Sequence, residues 1–591
     1  MKKKLISMIL VTGLLASTLI GCGSEKAEET QQPAAETKTE EKAEAPAEEK
    51  AEEPAEEKVE EAEEEEEIVQ IRFIYEGGNF DNNWPTEVFN DLNAALREYA
   101  GAELVMVNGA NEQIDMMLAS GDLNFDMFKL GSSYVDTMIR AGLVTNLEDY
   151  KDQLPNVFSN DVRVNALRAF NSGDTGDLHV WTTAVGPELN GRTQNYGYTV
   201  RWDWYKELGC PEITDRQSYL EVVKQMVEAH PETANGDKVY GFSFHQAPDI
   251  ATWATMGNIN GTTHFSPTMG WDTINGKFVN LITDTEKSGV WFAIEWAFMA
   301  NQMGIMDPDA LTQTRDDMEA KATNGQLAAP FSPAYGGDLE ANSLVEDPNS
   351  IAGYIAVPVE GVSYWDNKYS DYGWGCYIGA VADSPYQEQM MKVFEYLNSE
   401  EGARMCGNGV EGRQWEYVDG VPTIKPEMIE INKTGDATAK LQTRYLNNMF
   451  YGVSMRATHS DGYPMNLWFS DQVLMDAMTP MEKDYADFYG VNLPIETSRN
   501  QIEAGKAYDL RNITDVFNII GGNGPDDIAR MESRIAEAFV ARAHECVLAK
   551  DEAEFKKIQA EIIAECIDLG VEEVAAYWSG RCDEIYNTLY N

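Results

Sequence analysis

The sequence predicts an α/β protein of more than one domain, carried behind a leader and a spacer. Three observations predict it. Apolar strand-like segments alternate with helical spacing from Val69 to Ser133. A second alternation of the same kind begins at Tyr198, and the 524 residues from Ile68 onward exceed one domain of ordinary size.

In order, Val69 to Tyr75 alternates as a strand, and Glu76 to Pro85 is a loop rich in Gly, Asn and Asp. Glu87 to Tyr99 has helical spacing, Leu104 to Val107 reads as a strand and Ile114 to Ser120 as a helix. Asp126 to Leu130 is a further strand, and Gly131-Ser132-Ser133 turns into another helix. Gly186 to Gly197 reads as turns, Tyr198 to Tyr205 as one apolar run, and Thr214 stands three residues before Gln217 at capping-box spacing. Trp291 to Gln302 is predicted helical, Ile351 to Val357 a strand, and Ile528 to Ala576 helical with charged outer faces. Strands alternating with helices gather their loops at one sheet edge, where ligands bind in open α/β sheets.

The first 22 residues carry an address. Lys2, Lys3 and Lys4 precede an uncharged run from Leu5 to Ile20, followed by Gly21 and Cys22. A basic start, a short apolar core and a small residue before a cysteine make a bacterial lipoprotein signal, residues 1–21, with Cys22 the lipidated first residue of the mature chain. Sixteen uncharged residues fall short of the ~20 that span a bilayer. Two acyl chains on Cys22 give stable anchoring, so the predicted location is the outer face of the cell membrane, with the membrane met through the lipid anchor only. Residues 22–67 then read as a disordered acidic linker: Ser24 to Glu67 holds 20 Glu against 5 Lys and no aromatic residue.

The body beyond it remains strongly acidic, which argues against a nucleic-acid partner and against adsorption on anionic lipid. After Cys22 come Cys210, Cys376, Cys406, Cys546, Cys566 and Cys582, with no C-x-x-C pair. Free buried thiols are expected, with no metal and no cofactor. An enzyme finds little support: there is no G-x-S-x-G elbow and no H-E-x-x-H helix. Gly407 to Gly412 spells G-x-G-x-x-G but follows a helix rather than a strand, the wrong context for dinucleotide binding.

Several separated segments resemble the family 1 extracellular solute-binding proteins of ABC transporters, particularly the long lipoprotein branch that includes alginate-oligosaccharide binders. Ala141 to Tyr150 (AGLVTNLEDY) is similar to a segment following the first lobe's third strand, and Tyr198 to Gly209 (YTVRWDWYKELG) to the family's R-x-D-W-x-x-x-L-G stretch. Phe394 to Gly420 (FEYLNSEEGARMCGNGVEGRQWEYVDG) resembles its YL-x-SEEG and EG-x-x-W/Y signature. The resemblance implies a two-lobed periplasmic-binding-protein-like fold of type II, with crossover strands and a ligand cleft between lobes. Residues 68–185 with 375–445 would form lobe 1, and 186–374 with 446–591 lobe 2. It also implies a monomer that captures a carbohydrate and delivers it to the transmembrane subunits of an ABC permease. One departure stands out: where members of the branch often carry a calcium loop, His230 to Tyr240 lacks most carboxylates at liganding spacing, so no calcium is expected there.

A sugar site needs flat aromatic platforms with polar side chains around them. Asn79, Asn82 and Trp84 follow the first strand, Ser132 and Ser133 open a helix, and Trp253, Tyr335, Tyr372 and Trp374 lie among turn formers. Arg413 and Trp415 belong to the signature segment and are divided between cleft and packing. Trp291 and Trp296 read as core, Trp202 and Trp204 as hinge packing. A polyuronate ligand would require Arg192, Arg201 or Arg413 in the cleft. A receptor of the same fold for peptide or another solute, or a sensor partner of a membrane kinase, is the competing reading.

Overall fold

The alternation seen in the sequence builds first a five-stranded sheet and then a second layer of two- and three-stranded sheets. The computed structural model describes residues 67–78, 80, 84–173, 175–183, 185–189, 191–245, 250–364, 367–370, 372–373, 376–434, 439, 446, 450, 452–453, 457–510 and 524–590. The predicted leader, Cys22 and the linker lie outside these residues.

The first sheet begins with β1 (Val69–Glu76), α1 (Glu87–Ala100), β2 (Ala102–Gly109), α2 (Asn111–Ser120), β3 (Met127–Gly131) and α3 (Ser132–Arg140). Then come α4 (Asp161–Phe170) and the short β4 (Trp181–Thr182). β1 pairs in parallel with β2 from Val69↔Ala102 to Glu76↔Gly109, and with β3 at Phe73↔Met127. Ile71, Phe73, Leu104, Met127 and Phe128 are buried, since helices cover a mostly parallel sheet. α1 starts where the Thr86 side chain accepts from the Phe89 N–H, and ends at Gly101, whose φ of 64° suits a residue without a Cβ.

β5 (Gly186–Leu189) leads the chain away to β6 (Tyr198–Arg201), α5 (Trp202–Glu207), α6 (Arg216–Ala229) and β7 (Tyr240–Ser243). Next are α7 (Ala251–Gly257), the antiparallel β8 (Thr262–His264), β9 (Met269–Asp272) and β10 (Lys277–Asn280), and α8 (Gly289–Gln302). α9 (Arg315–Thr323), β11 (Leu327–Pro330), α10 (Leu339–Glu346) and β12 (Tyr354–Val357) complete the second α/β layer. β11 runs parallel to β7 (Leu327↔Tyr240, Pro330↔Ser243), and β12 runs antiparallel to β6. Trp296 of α8 packs 4.9 Å from Phe242, 5.3 Å from Tyr198 and 5.5 Å from Tyr219. It is the core residue its helical spacing predicts, as is the buried Trp291.

β13 (Ser363–Tyr364) and β14 (Asn367–Ser370) bring the chain back to β15 (Cys376–Ala380), which enters the first sheet antiparallel to β3 and β4. That sheet's order is β2-β1-β3-β15-β4. β5 and β14 pair antiparallel, Gly186↔Ser370 to Leu189↔Asn367, so the outgoing and returning passages form one two-stranded link. α11 (Gln387–Leu397) and α12 (Glu400–Asn408) cover α1. The C-terminal helices Asp526–Val547, Glu552–Asp568 and Val571–Tyr590 pack on α8 and the β8–β10 sheet. There the buried Glu532 carboxylate accepts from the Thr268 N–H and hydroxyl, and from Trp578 Nε1 at 3.3 Å. Glu66 to Asn591 form one compact unit, and no helix among the described residues is long and apolar enough to cross a membrane.

Three local expectations change. The cap of α6 is Asp215, paired reciprocally with Ser218, because the aspartate side chain reaches the Ser218 N–H at 2.8 Å; Thr214 and Gln217 do not form it. The run Tyr198 to Tyr205 divides at Trp202 into strand and helix, which buries Trp202 and leaves Arg201 over the Trp204 ring at 3.8 Å. Four residues of the segment read as turns, Gly186–Leu189, are extended as β5.

Candidate ligand site at the strand ends

The carboxyl ends of β1, β2 and β3 and the start of β15 share one edge of the first sheet. Gly109 can only be glycine there: a Cβ would lie 2.0 Å from the Tyr75 carbonyl oxygen. The Glu76 carboxylate accepts the Gly131 N–H at 2.6 Å and ties the end of β3 to that of β1. Gly131 caps α3 without a side-chain hydrogen bond, so Ser132, half-buried, and Ser133, exposed, form an open first turn. Trp84 is half-buried in an aromatic stack, 4.9 Å from Phe80 and 4.5 Å from Phe89. Lys129 is buried with its ammonium 4.9 Å over the Tyr75 ring, and burial pulls its pKa down to about 8. Cys376 is exposed at the same edge, opposite Gly131.

The equivalent edge of the second layer lies beyond its parallel pair, β7 and β11. The Ser332 hydroxyl donates to the Asn195 carbonyl, which holds the turn after β11 against the loop before β6. On that turn Phe331 and Tyr335 stack at 4.7 Å. The His245 ring lies 5.7 Å from Phe331 and 5.3 Å from Tyr335, and the Arg315 guanidinium covers Tyr335 at 4.9 Å while pairing with Glu319 at 2.6 Å. Burial, then the Arg315 charge, lowers the His245 pKa, and its Nδ1 has no hydrogen-bond partner among the described residues. Burial raises the pKa of Tyr196 beside this group, so its phenol stays protonated.

Of the predicted site residues, Trp84, Ser132, Ser133 and Tyr335 stand at these two edges. Asn79, Asn82 and Trp374 lie outside the described residues. Trp253 is enclosed in the core 5.0 Å from Phe244, and Tyr372 is enclosed with its hydroxyl donating to Asn171 Oδ1 at 2.5 Å. Trp415 packs with Ile424, Leu467 and Val473, its Nε1 donating to the Gly409 carbonyl at 3.1 Å; Arg413 pairs with Asp91 of α1. His245, Tyr196, Arg315 and Glu76 were not singled out by sequence. Their signal was position: Glu76 and His245 end or follow a strand segment, Tyr196 precedes one, and Arg315 opens a helix.

The loop His230 to Tyr240 closes on itself. The Thr233 hydroxyl accepts from the Asn235 and Asp237 N–H groups, at 3.3 and 3.2 Å. Among the described residues no cluster of three or more His, Cys, Asp or Glu is placed to hold a metal ion.

Two α/β layers joined by paired crossing strands, with loops gathered at strand ends, are the fold of the periplasmic solute-binding proteins. The chain superposes with a TM-score of 0.57 on an HMO-binding, ABC-transporter-associated solute-binding protein from Bifidobacterium longum infantis, covering 88% of this chain and 99% of that one at 13% identity. It superposes with a TM-score of 0.55 on the alginate-binding protein AlgQ2, covering 88% and 98% at 13% identity. By sequence it is 23% identical over 363 residues to lipoprotein LipO of Bacillus subtilis strain 168, a match spanning 56% of this chain and 64% of that protein. No protein-family model matches the chain.

Proposed function

We propose that this chain is the lipid-anchored substrate-binding component of an ABC importer, held by Cys22 at the outer face of the cell membrane. It captures a carbohydrate and passes it to the permease without chemistry, as a monomer. Binding shifts an open–closed equilibrium toward the form the permease accepts. The observation that carries the reading is the aromatic group Phe331, Tyr335 and His245 at the carboxyl ends of β7 and β11, beside Arg315 and Tyr196. Such a group offers ring faces to sugar C–H bonds and polar tips to hydroxyls.

The arginines favour a neutral sugar. Arg192 is bound to Glu482 at 3.0 Å, Arg201 to Asp203 at 2.9 Å, and Arg413 to Asp91, so none stands ready for a uronate. The lobes implied by the family resemblance take residues 68–185 with 375–445 on one side, and 186–374 with 446–591 on the other. We propose instead that Phe450 and the segment Ala457 to Val473 belong with the first lobe, because Phe450 lies 5.2 Å from Phe73 and Leu467 packs with Trp415.

The test is calorimetric titration of the full chain with neutral and acidic oligosaccharides, with peptides as controls and reducing-end release followed in parallel. Binding of a neutral glycan without turnover is expected. Turnover, or a response to peptides alone, would overturn the reading.

A further inference from the structure

A separate cavity of about 610 Å³ opens on the flank of the second layer, between α5, the segment after β12, and the helices Pro480–Tyr489 and Glu496–Glu503. It shares no lining residue with the strand-end group. Its size falls within the range of small-molecule sites.

The wall chemistry is specific. Phe488 is 49% exposed and meets Tyr489 edge to face, ring centres 4.9 Å apart with planes at 87°, forming a corner of two aromatic rings. The Gln501 amide lies in the wall, and its Oε1 is shielded from water with no hydrogen-bond partner among the described residues. Glu212 and Glu360 are exposed at the cavity, Glu360 accepting from Lys506 Nζ at 2.6 Å. The half-buried Cys210, held at a φ of 53°, lines the same space.

We propose that this cavity is a second ligand site, distinct from the strand-end site, that takes a short neutral saccharide. Ring C–H faces pack on the Phe488–Tyr489 corner, and Glu212 accepts from sugar hydroxyls. A buried acceptor left without a donor is costly, and a turn of the Gln501 amide toward a ligand hydroxyl relieves that cost. The carboxylates repel uronates and phosphates. A quaternary ammonium ion would meet the same three rings, Tyr205, Phe488 and Tyr489, but its ammonium has no N–H to donate to the orphaned Gln501 Oε1, so it is served less well.

Cys210 supplies the readout. The full chain is alkylated with N-ethylmaleimide in the presence of maltotriose, cellotriose, glucuronate or choline, and modification of Cys210 is followed by peptide mass spectrometry. With a trisaccharide at ten times its Kd, Cys210 modification should slow about tenfold. The slowing should disappear in Phe488→Ala and diminish in Gln501→Ala, two variants of different packing so that one misfolded protein cannot decide the matter. Cys376, at the first sheet's edge, reports the strand-end site in the same digest. Protection of Cys376 without Cys210 would overturn this proposal and leave the primary reading standing. Equal protection of Cys210 by choline or glucuronate, or protection that persists in Phe488→Ala, would overturn it as well.

Discussion

Phe331 and Tyr335 stack with ring centres 4.7 Å apart and planes inclined by 29°, on the turn that begins one residue after β11 ends. Phe331 is buried and Tyr335 only partly so, so the first ring supports the second from beneath. The Tyr335 ring, also covered by the Arg315 guanidinium, is therefore fixed before any ligand arrives, and its partly exposed edge and hydroxyl have little ordering entropy left to lose on binding.

Tyr335→Ala should weaken glycan binding about tenfold, since an aromatic contact contributes ~0.5–1.5 kcal/mol beyond its area. Tyr335→Phe keeps the ring and should stay within about threefold of wild type on the same grounds. Calorimetric Kd values decide it. An alanine variant that binds as tightly as the native chain would remove Tyr335 from the site.

His245 should make the fold more sensitive to mild acid. Its pKa is lowered by burial and by Arg315, so the unfolded chain binds the proton more readily than the native one. Stability then rises with pH through the window between the lowered native pKa and the ordinary value near 6.5, and is lost as pH falls through that window. Melting temperatures from pH 7.5 to 5 should fall more steeply in the native chain than in His245→Asn. Parallel curves would refute the assignment.

Strand-then-helix order was legible because the inward residues of β1, β2 and β3, such as Ile71, Phe73, Leu104 and Met127, are buried and their apolar runs announce it. The link between layers was not. Gly186–Leu189 reads as turn because it is rich in Gly and Pro, yet a two-stranded pairing with Asn367–Ser370 makes it extended. Trp253 and Tyr335 looked alike in sequence, each an aromatic residue among turn formers. What separates them is that Trp253 falls within α7 against Phe244, while Tyr335 follows the end of a strand. Tyr372 shows the same limit, since its burial depends on Asn171, two hundred residues earlier in the chain.

Gly109→Ala tests the first sheet's edge. Because the added carbon would meet the Tyr75 carbonyl oxygen at 2.0 Å, the ends of β1 and β2 must part. Overpacking of this kind costs ~1–3 kcal/mol. Urea denaturation should show that loss with an unchanged m-value, and an unchanged midpoint would contradict the geometry.

Arg163 offers the most demanding test, because its charge is buried without a carboxylate among its hydrogen-bond partners. Its Nη2 donates to the Val157 carbonyl at 2.8 Å, and its Nη1 to Asn398 Oδ1 and the Gly452 carbonyl, each at 3.3 Å. One guanidinium thus gathers chain segments at Val157, Thr182, Asn398 and Gly452, using the several donors that only arginine presents in a fixed plane. Arg163→Met fills much the same volume but leaves those oxygens without donors. Each orphaned acceptor costs ~1–3 kcal/mol, partly offset because a charge no longer has to be desolvated. A net loss of about 3 kcal/mol is expected, and Arg163→Lys should recover less than half, since a point charge cannot reach all of these oxygens. Burial lowers the Arg163 pKa only to about 10, so both folded and unfolded chains keep the charge near neutrality. The stability difference between Arg163 and Arg163→Met should therefore be flat from pH 5 to 8 in urea titrations. A difference that grows or vanishes across that range would mean another titrating group, and not the lost hydrogen bonds, carries the effect.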